Sequence, residues 1–528
     1  MNSLFAAVVA FLLAATQLSV ALAGGAITVT ANEEQLIGER SKQVGVFRGI
    51  PFAQPPLGKL RWQAPLPPAP RAGWRQATDF ADACMQGPHI VDWYQGVAEA
   101  FDEAPDVIKA PNVSEDCLYL NIWTPALNGS SIVDKALPVM VWIHGGSNKG
   151  GWAFEPNYIG EQLARQNVVV VSIAYRLGVF GFFSHPQLSD QQAVSANFGL
   201  LDQIAALHWV QENIRQFGGD PNRVTVFGES AGAADIAYLM TSPLSEGLFQ
   251  RAIHQSAGFE MVRQAKREHV ESLGLKLGAH LSIDNETEAL SKLRAVPADK
   301  ILAAAEVVYK DHYHDPVIDN YVLNQAPLNS FANNQQYPVD LMIGTNAHEW
   351  YMYIDEDVDK QAIDEYISQQ PEAQRKALWD LIKSENDLLY ALDRLTTGKE
   401  MLCPSLFMAR QLAGKNDNTW FYFFSKQRDG PGGKKLKAYH GAEIAYVFDT
   451  HDEWLPTRYD DRKLTKIMLQ YWSNFAKTGN PNTKGLPRWP RYIDNKVIEL
   501  GKRVNAIGIP EKELCELFDR TRGNNSNN

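Results

Sequence analysis

Gly228-Glu229-Ser230-Ala231-Gly232 sets a serine between two glycines. The β-branched run Val224–Phe227 comes directly before it, and the helix-compatible residues Ala233-Ala234-Asp235-Ile236-Ala237 follow. Strand, tight turn and helix in that order lift a serine hydroxyl clear of the backbone and aim the first helical N–H groups at it. A serine hydroxyl is a weak nucleophile, so it requires a base, and the base requires an acid to orient it. On such an elbow the order along the chain is serine, acid, histidine. Glu349, which follows the apolar run Leu341–Ile343, suits the acid. His440, which follows a Gly/Lys-rich loop, suits the base among 12 histidines. A tetrahedral oxyanion needs backbone donors. The N–H of Ala231 is one, and the Gly-rich loop in Trp142-Ile-His-Gly-Gly-Ser-Asn-Lys-Gly-Gly151 supplies others.

These residues lie far apart in the chain, so a rigid frame must bring them together. Val139–Ile143, Val168–Ala174, Arg223–Phe227, Asp340–Gly344 and Trp420–Phe424 read as strands, and Leu201–Arg215 and Lys463–Lys477 read as helices. The alternation predicts a mostly parallel α/β sheet. Ligands of such sheets bind beyond the carboxyl ends of the strands, where Ser230 stands. The 528 residues, 45% hydrophobic and 21% charged, are ample for a large core. No internal repeat or long low-complexity linker divides them, so residues 24–520 read as a single domain and 521–528 as a disordered tail. A net charge of −11 without a basic cluster argues against a nucleic-acid partner. Leu4–Ala23 is almost wholly apolar and ends in Ala21-Leu22-Ala23, so residues 1–23 read as a cleaved signal peptide, with an uncleaved anchor as the alternative. No other stretch is long and apolar enough to cross a bilayer. The mature chain is therefore expected to carry no membrane span and to be secreted or periplasmic. Cys84, Cys117, Cys403 and Cys515 behind such a leader suggest two disulfides, with three pairings open.

Longer motifs in order along the chain resemble those of the type-B carboxylesterase and cholinesterase family of the α/β-hydrolase fold. Phe47-Arg-Gly-Ile-Pro51, Glu115–Trp123, Asn197–Gln203, Phe217–Gly232 and Trp472–Pro481 carry the resemblance over nearly everything after the leader. It implies a large, mostly parallel central sheet with helices on both faces and a carboxylesterase acting on a small-molecule ester without a cofactor. It implies Ser230 as nucleophile, His440 as base and then acid, and Glu349 as the orienting carboxylate. Glu229 and Ser256 match polar residues beside that triad. The resemblance also implies disulfides Cys84–Cys117 and Cys403–Cys515, and structural ion pairs Arg176–Asp202 and Arg61–Glu115.

The departures from the family pattern bear on the substrate. The family's Gly-Gly-Gly-Phe or Gly-Gly-Ala-Phe loop is Gly145-Gly146-Ser147-Asn148 here, so the oxyanion donors by position are Gly146, Ser147 and Ala231. Trp350 replaces the glycine after the acid. Val107–Ser114 holds no tryptophan, where the cholinesterase branch uses one to hold a quaternary ammonium, which argues against acetylcholine. Asn148, Lys149 and His312 put polar groups where aromatic pocket walls are often found. They suggest a substrate with polar or anionic groups near the ester and Lys149 as a partner; the alternative is a solvated loop. His312 and His314 are too sparse a pair to imply a metal. Two other readings remain: a catalytically silent binding relative and an interfacial lipase. The acidic residues Asp92, Glu99, Asp102, Glu103 and Asp106 between Cys84 and Cys117 suit a polar flap better than an apolar lid.

Overall fold

The apolar strand Leu137–Ile143 has no polar side because both of its faces are covered. Val139, Val141 and Ile143 pack into one hydrophobic cluster, and Met140 and Trp142 into another on the opposite side. This is the period-two alternation of a strand at the centre of a sheet. In a computed structural model that describes residues 25–71, 73–129, 131–191, 196–284, 287–413 and 418–525, the strand belongs to a 15-stranded sheet. Lys496–Leu500, Thr419–Phe424, Asp340–Asn346, Arg251–Gln255, Gly219–Glu229, Leu137–Ile143 and Val169–Ile173 lie side by side and parallel. Antiparallel strands close both flanks: Val504–Gly508 at one edge, and Tyr119–Thr124, Val44–Pro51, Glu34–Ser41 and Ala26–Ala31 at the other.

Helices cover both faces. Leu200, Leu201, Ile204 and Leu207 of helix Phe198–Asn213 join the first cluster. Leu464, Met468, Trp472 and Phe475 of helix Tyr459–Thr478 join the second. The expected mostly parallel sheet with helices on both faces is the architecture found. Four of the five strands read from the sequence run longer by one to four residues at an end, taking in Asp220, Thr345 and Asn346, whereas Val168–Ala174 is one residue shorter at each end.

Strand order reverses next to Leu137–Ile143. The chain leaves it for Val169–Ile173 on one side and returns to Gly219–Glu229 on the other. A crevice opens at such a switch point, beyond the carboxyl ends of the strands. The loop from His144 and the turn at Ser230 are the two segments that leave the sheet there.

The disulfides form as Cys84–Cys117 and Cys403–Cys515, 33 and 112 residues apart. Arg176 holds Asp202 with both Nε and Nη2 at 2.7 Å, and Arg61 holds Glu115 at 2.5–2.6 Å. The leader read over residues 1–23 lies outside the described residues. At the C-terminal side, helix Lys512–Asn525 runs into the segment read as a tail. Leu514 and Cys515 are buried in its first turn.

Candidate active site

Ser230 sits at φ 54° and ψ −126°, a region that costs a non-glycine residue about 1–3 kcal/mol and persists only where its surroundings enforce it. The enforcement is visible. Ser230 N–H donates to Gln255 O on the neighbouring strand (2.9 Å), and Ser230 O accepts from Ala234 N–H in the helix (2.9 Å). Helix Ala231–Leu239 is pressed against strand Leu137–Ile143 so closely that a Cβ on Gly232 would stand 2.1 Å from Ile143 O. A Cβ on Gly228 would stand 2.6 Å from the same oxygen. The two glycines are therefore required by close approach, and the Ala231 N–H is one of the helix's unpaired first donors.

Across from the serine, Gly146, Ser147 and Asn148 all have positive φ, at 101°, 57° and 54°. Gly146 O accepts from the N–H groups of Lys149 and Gly150, both at 3.0 Å, which closes the turn without using the N–H groups of Gly146 and Ser147. Only glycine fits at 146, since a Cβ there would meet Gly150 O at 2.1 Å. Ser147 occupies an ordinary left-handed conformation, so a side chain at this position is compatible with the turn.

His440 Nδ1 and Glu349 Oε2 are 2.7 Å apart. Glu349 is fixed in turn: its Oε1 accepts from Asn346 N–H (2.6 Å), and its own N–H donates to Thr397 Oγ1 (3.1 Å). Thr397 donates to Asp393 Oδ1 (2.8 Å), one helical turn back on Leu388–Thr397. On the other side, His440 Nε2 is 3.2 Å from Glu229 Oε1, an oxygen that has no hydrogen-bond partner among the described residues. Burial disfavours the imidazolium, but Glu229, then Glu349, outweigh it and raise His440 to about 9. Burial pushes the Glu229 carboxyl well above its ordinary range, against the pull of His440. Ser256, also at positive φ (51°), is buried beneath these groups with its N–H on Gly344 O. Beside it, Gln255 bridges Trp472 and Glu443, and Glu443 also accepts from Asn346 Nδ2 (2.7 Å).

Ser230, Ala231, Gly146, Ser147, Glu229, Glu349 and His440 line one cavity of about 630 Å³. The residues proposed from polarity alone fare differently. Asn148 reaches the cavity, but its side chain acts as a brace: Nδ2 donates to Asp235 Oδ1 (3.2 Å) and Oδ1 accepts from Tyr175 (3.2 Å). Lys149 points away from the cavity to Glu306, at 2.9 Å on the surface. His312 is also outside, next to the exposed His269. His314 turns inward, stacked on Tyr309 and lowered to about 3 by burial. The cation that does line the cavity is Arg263, which sequence reasoning passed over. Its one signal was the spacing Phe259-x-x-x-Arg263, which sets a guanidinium above an aromatic ring. The acidic flap reads differently from inside. Helix His89–Ala100 turns Trp93 and Tyr94 to the cavity, and Trp350 and Tyr353 line another part of it.

A family model described as "Carboxylesterase family" matches residues 25–517. The fumonisin B1 esterase of Sphingopyxis macrogoltabida is 35% identical over 493 residues, covering 90% of this chain and 87% of that protein. The cocaine esterase of Homo sapiens is 36% identical over 480 residues, covering 85% and 82%. Among solved structures, a PNB esterase superposes with a TM-score of 0.81 at 31% identity, over 93% of this chain and 99% of that one.

Proposed function

The chain belongs to the carboxylesterase family and is a carboxylic ester hydrolase of the α/β-hydrolase fold, and from that premise we propose that Ser230, His440 and Glu349 carry the reaction through an acyl-enzyme. The observation that supports this most is their convergence: a serine on a strained elbow and a histidine bonded to a buried carboxylate line one cavity. Ser230 Oγ attacks the ester carbonyl as His440 takes its proton. Glu349, held by Asn346 and Thr397, fixes the ring and stabilises the imidazolium that forms. The tetrahedral oxyanion is received by the N–H groups of Gly146, Ser147 and Ala231. His440 then protonates the leaving alcohol, and water activated by the same ring releases the acid.

Ser230→Ala tests the reading. It should keep its fold by circular dichroism, lose covalent labelling by a fluorophosphonate and lose turnover by roughly a million-fold. Turnover near the wild-type rate would refute the assignment. The cysteines suit an oxidising compartment, and two disulfides support export of the chain. Among the described residues no helix is long and apolar enough to cross a membrane. The catalytically silent and interfacial-lipase readings have no observation in their favour.

A further inference from the structure

The cavity has two ends. Trp93 closes in on Gly441, beside His440, with Tyr94 and Ile444 nearby. Phe259, Met401, Tyr313, Asp315 and Arg263 form the other end. There Phe259 and Met401 pack on Ala233 and Ala234 of the helix that Ser230 opens. The leaving alcohol must lie within reach of the imidazole that protonates it, which assigns the Trp93 end to the alcohol and the Arg263 end to the acyl group.

Arg263 is the one Lys or Arg among the described residues that line this cavity. Its guanidinium is clamped between two rings, 3.8 Å from the centre of Tyr313 and 4.5 Å from that of Phe259. Its hydrogen bonding is far from filled. Nη2 is 3.5 Å from Asp315 Oδ1, at the limit of contact, and Nε has no partner among the described residues. The other carboxylates nearby are committed or shared. Glu260 Oε1 lies 3.0 Å from His254 Nε2, and its Oε2 accepts from Gly258 N–H at 2.8 Å. Glu400 is drawn on by Lys399 as well as by Arg263. Burial raises the Asp315 carboxyl from its ordinary range, against the pull of Arg263. A guanidinium held flat by aromatic faces, with most of its five donors unused, is a preformed fork for a carboxylate.

We propose that Arg263, held between Phe259 and Tyr313, recognises a carboxylate on the acyl part of the substrate, so that half-esters of dicarboxylic acids are the preferred substrate class. The proposal rests on Ser230 being the nucleophile. It replaces Lys149 with Arg263 as the cation that reads the acyl group. Arg263 would hold the distal carboxylate alike in the ground and transition states, and such uniform binding appears in KM and leaves kcat little moved.

The test compares monoethyl glutarate, ethyl pentanoate and the ethyl ester of γ-trimethylammoniobutyrate, three esters of one alcohol that differ in acyl charge. Wild type should favour the half-ester in kcat/KM. Arg263→Met should lower the ratio of half-ester to neutral ester by about 10- to 100-fold, mainly through KM, the loss of one or two charge-assisted hydrogen bonds. Arg263→Lys should restore part of the ratio. On wild type alone, glutarate should inhibit ethyl pentanoate hydrolysis more strongly than pentanoate does. This check stands even if a variant fails to fold. No preference for the half-ester, a ratio unchanged in Arg263→Met, or a preference for the ammonium ester would each overturn the proposal. Ethyl pentanoate hydrolysis that disappears in Ser230→Ala would uphold the catalytic reading whichever way the ratio falls.

Discussion

His440 stands between two carboxylates, and they do different things to it. Glu349 accepts at Nδ1 and sets the tautomer that leaves Nε2 free as a base. Glu229 faces Nε2 itself at 3.2 Å and favours the charged ring, which cannot act as a base. The two together, against burial, put His440 at about 9. The sign follows directly. With an uncharged ester, kcat/KM should rise with pH as the imidazolium loses its proton, with a limb near that value. Glu229→Gln removes one of the two carboxylates that raise it most directly and should move the limb to lower pH by about one unit or more. The three groups titrate as a unit, so the limb belongs to the cluster. A limb that stays in place or moves up in Glu229→Gln would contradict this account, and a pH profile on ethyl pentanoate reads it. Glu349, by contrast, stands after an apolar run, at the kind of strand end where ligands of such sheets bind, so the sequence offers it as a candidate for the acid. Arg263 could not be picked out, because its spacing from Phe259 sets it against a ring but gives no sign of which way the pair faces.

At the level of elements, the elbow works because a strand and a helix touch where side chains are absent. Gly232 lets helix Ala231–Leu239 approach Ile143 O, at the end of the helix where Ala231 shares a cavity with Gly146 and Ser147. Gly232→Ala forces these apart. It should cost about 1–3 kcal/mol by overpacking, read as a lower urea midpoint. It should also reduce kcat by about 100-fold or more in the protein that remains folded, because a displaced oxyanion donor loses most of its effect. Equal kcat in wild type and variant would show that the helix can slide without disturbing the site. The strands bearing this machinery were legible because they are buried on both faces and read as unbroken apolar runs. Glu34–Ser41 was not: Gln35, Glu39 and Arg40 interrupt it, and it becomes a strand through pairing with Ala26–Ala31 and Val44–Pro51. Asp393 and Thr397, which brace Glu349, were hidden for a related reason. Their spacing is ordinary for a helix, and only the tertiary contact gives it meaning.

For the molecule as a whole, the fold was readable from motifs in order along the chain, whereas the cavity walls were set by loops whose course no periodicity fixes. The polar flap between Cys84 and Cys117 shows this: its charges are evident in the sequence, and its inward Trp93 and Tyr94 depend on which way a helix turns. The two disulfides should stabilise unequally. Chain entropy gives about 4 kcal/mol for the loop closed by Cys84–Cys117 and about 5 kcal/mol for that closed by Cys403–Cys515. Ser replacements of the second pair should therefore lower Tm more than those of the first; the reverse order in calorimetry would place the larger contribution in the native-state contacts of the flap. The second bridge also has a bearing on time. Gly398, next to Thr397, packs against Leu514, so the segment supporting Glu349 leans on residues translated well after it. A ribosome working from the N-terminus finishes Ser230 and His440 long before it finishes that brace. The nascent chain thus carries Ser230 and His440 ahead of the residues that back the Glu349 segment, and that support is complete only once Leu514 is in place beside the Cys403–Cys515 bridge.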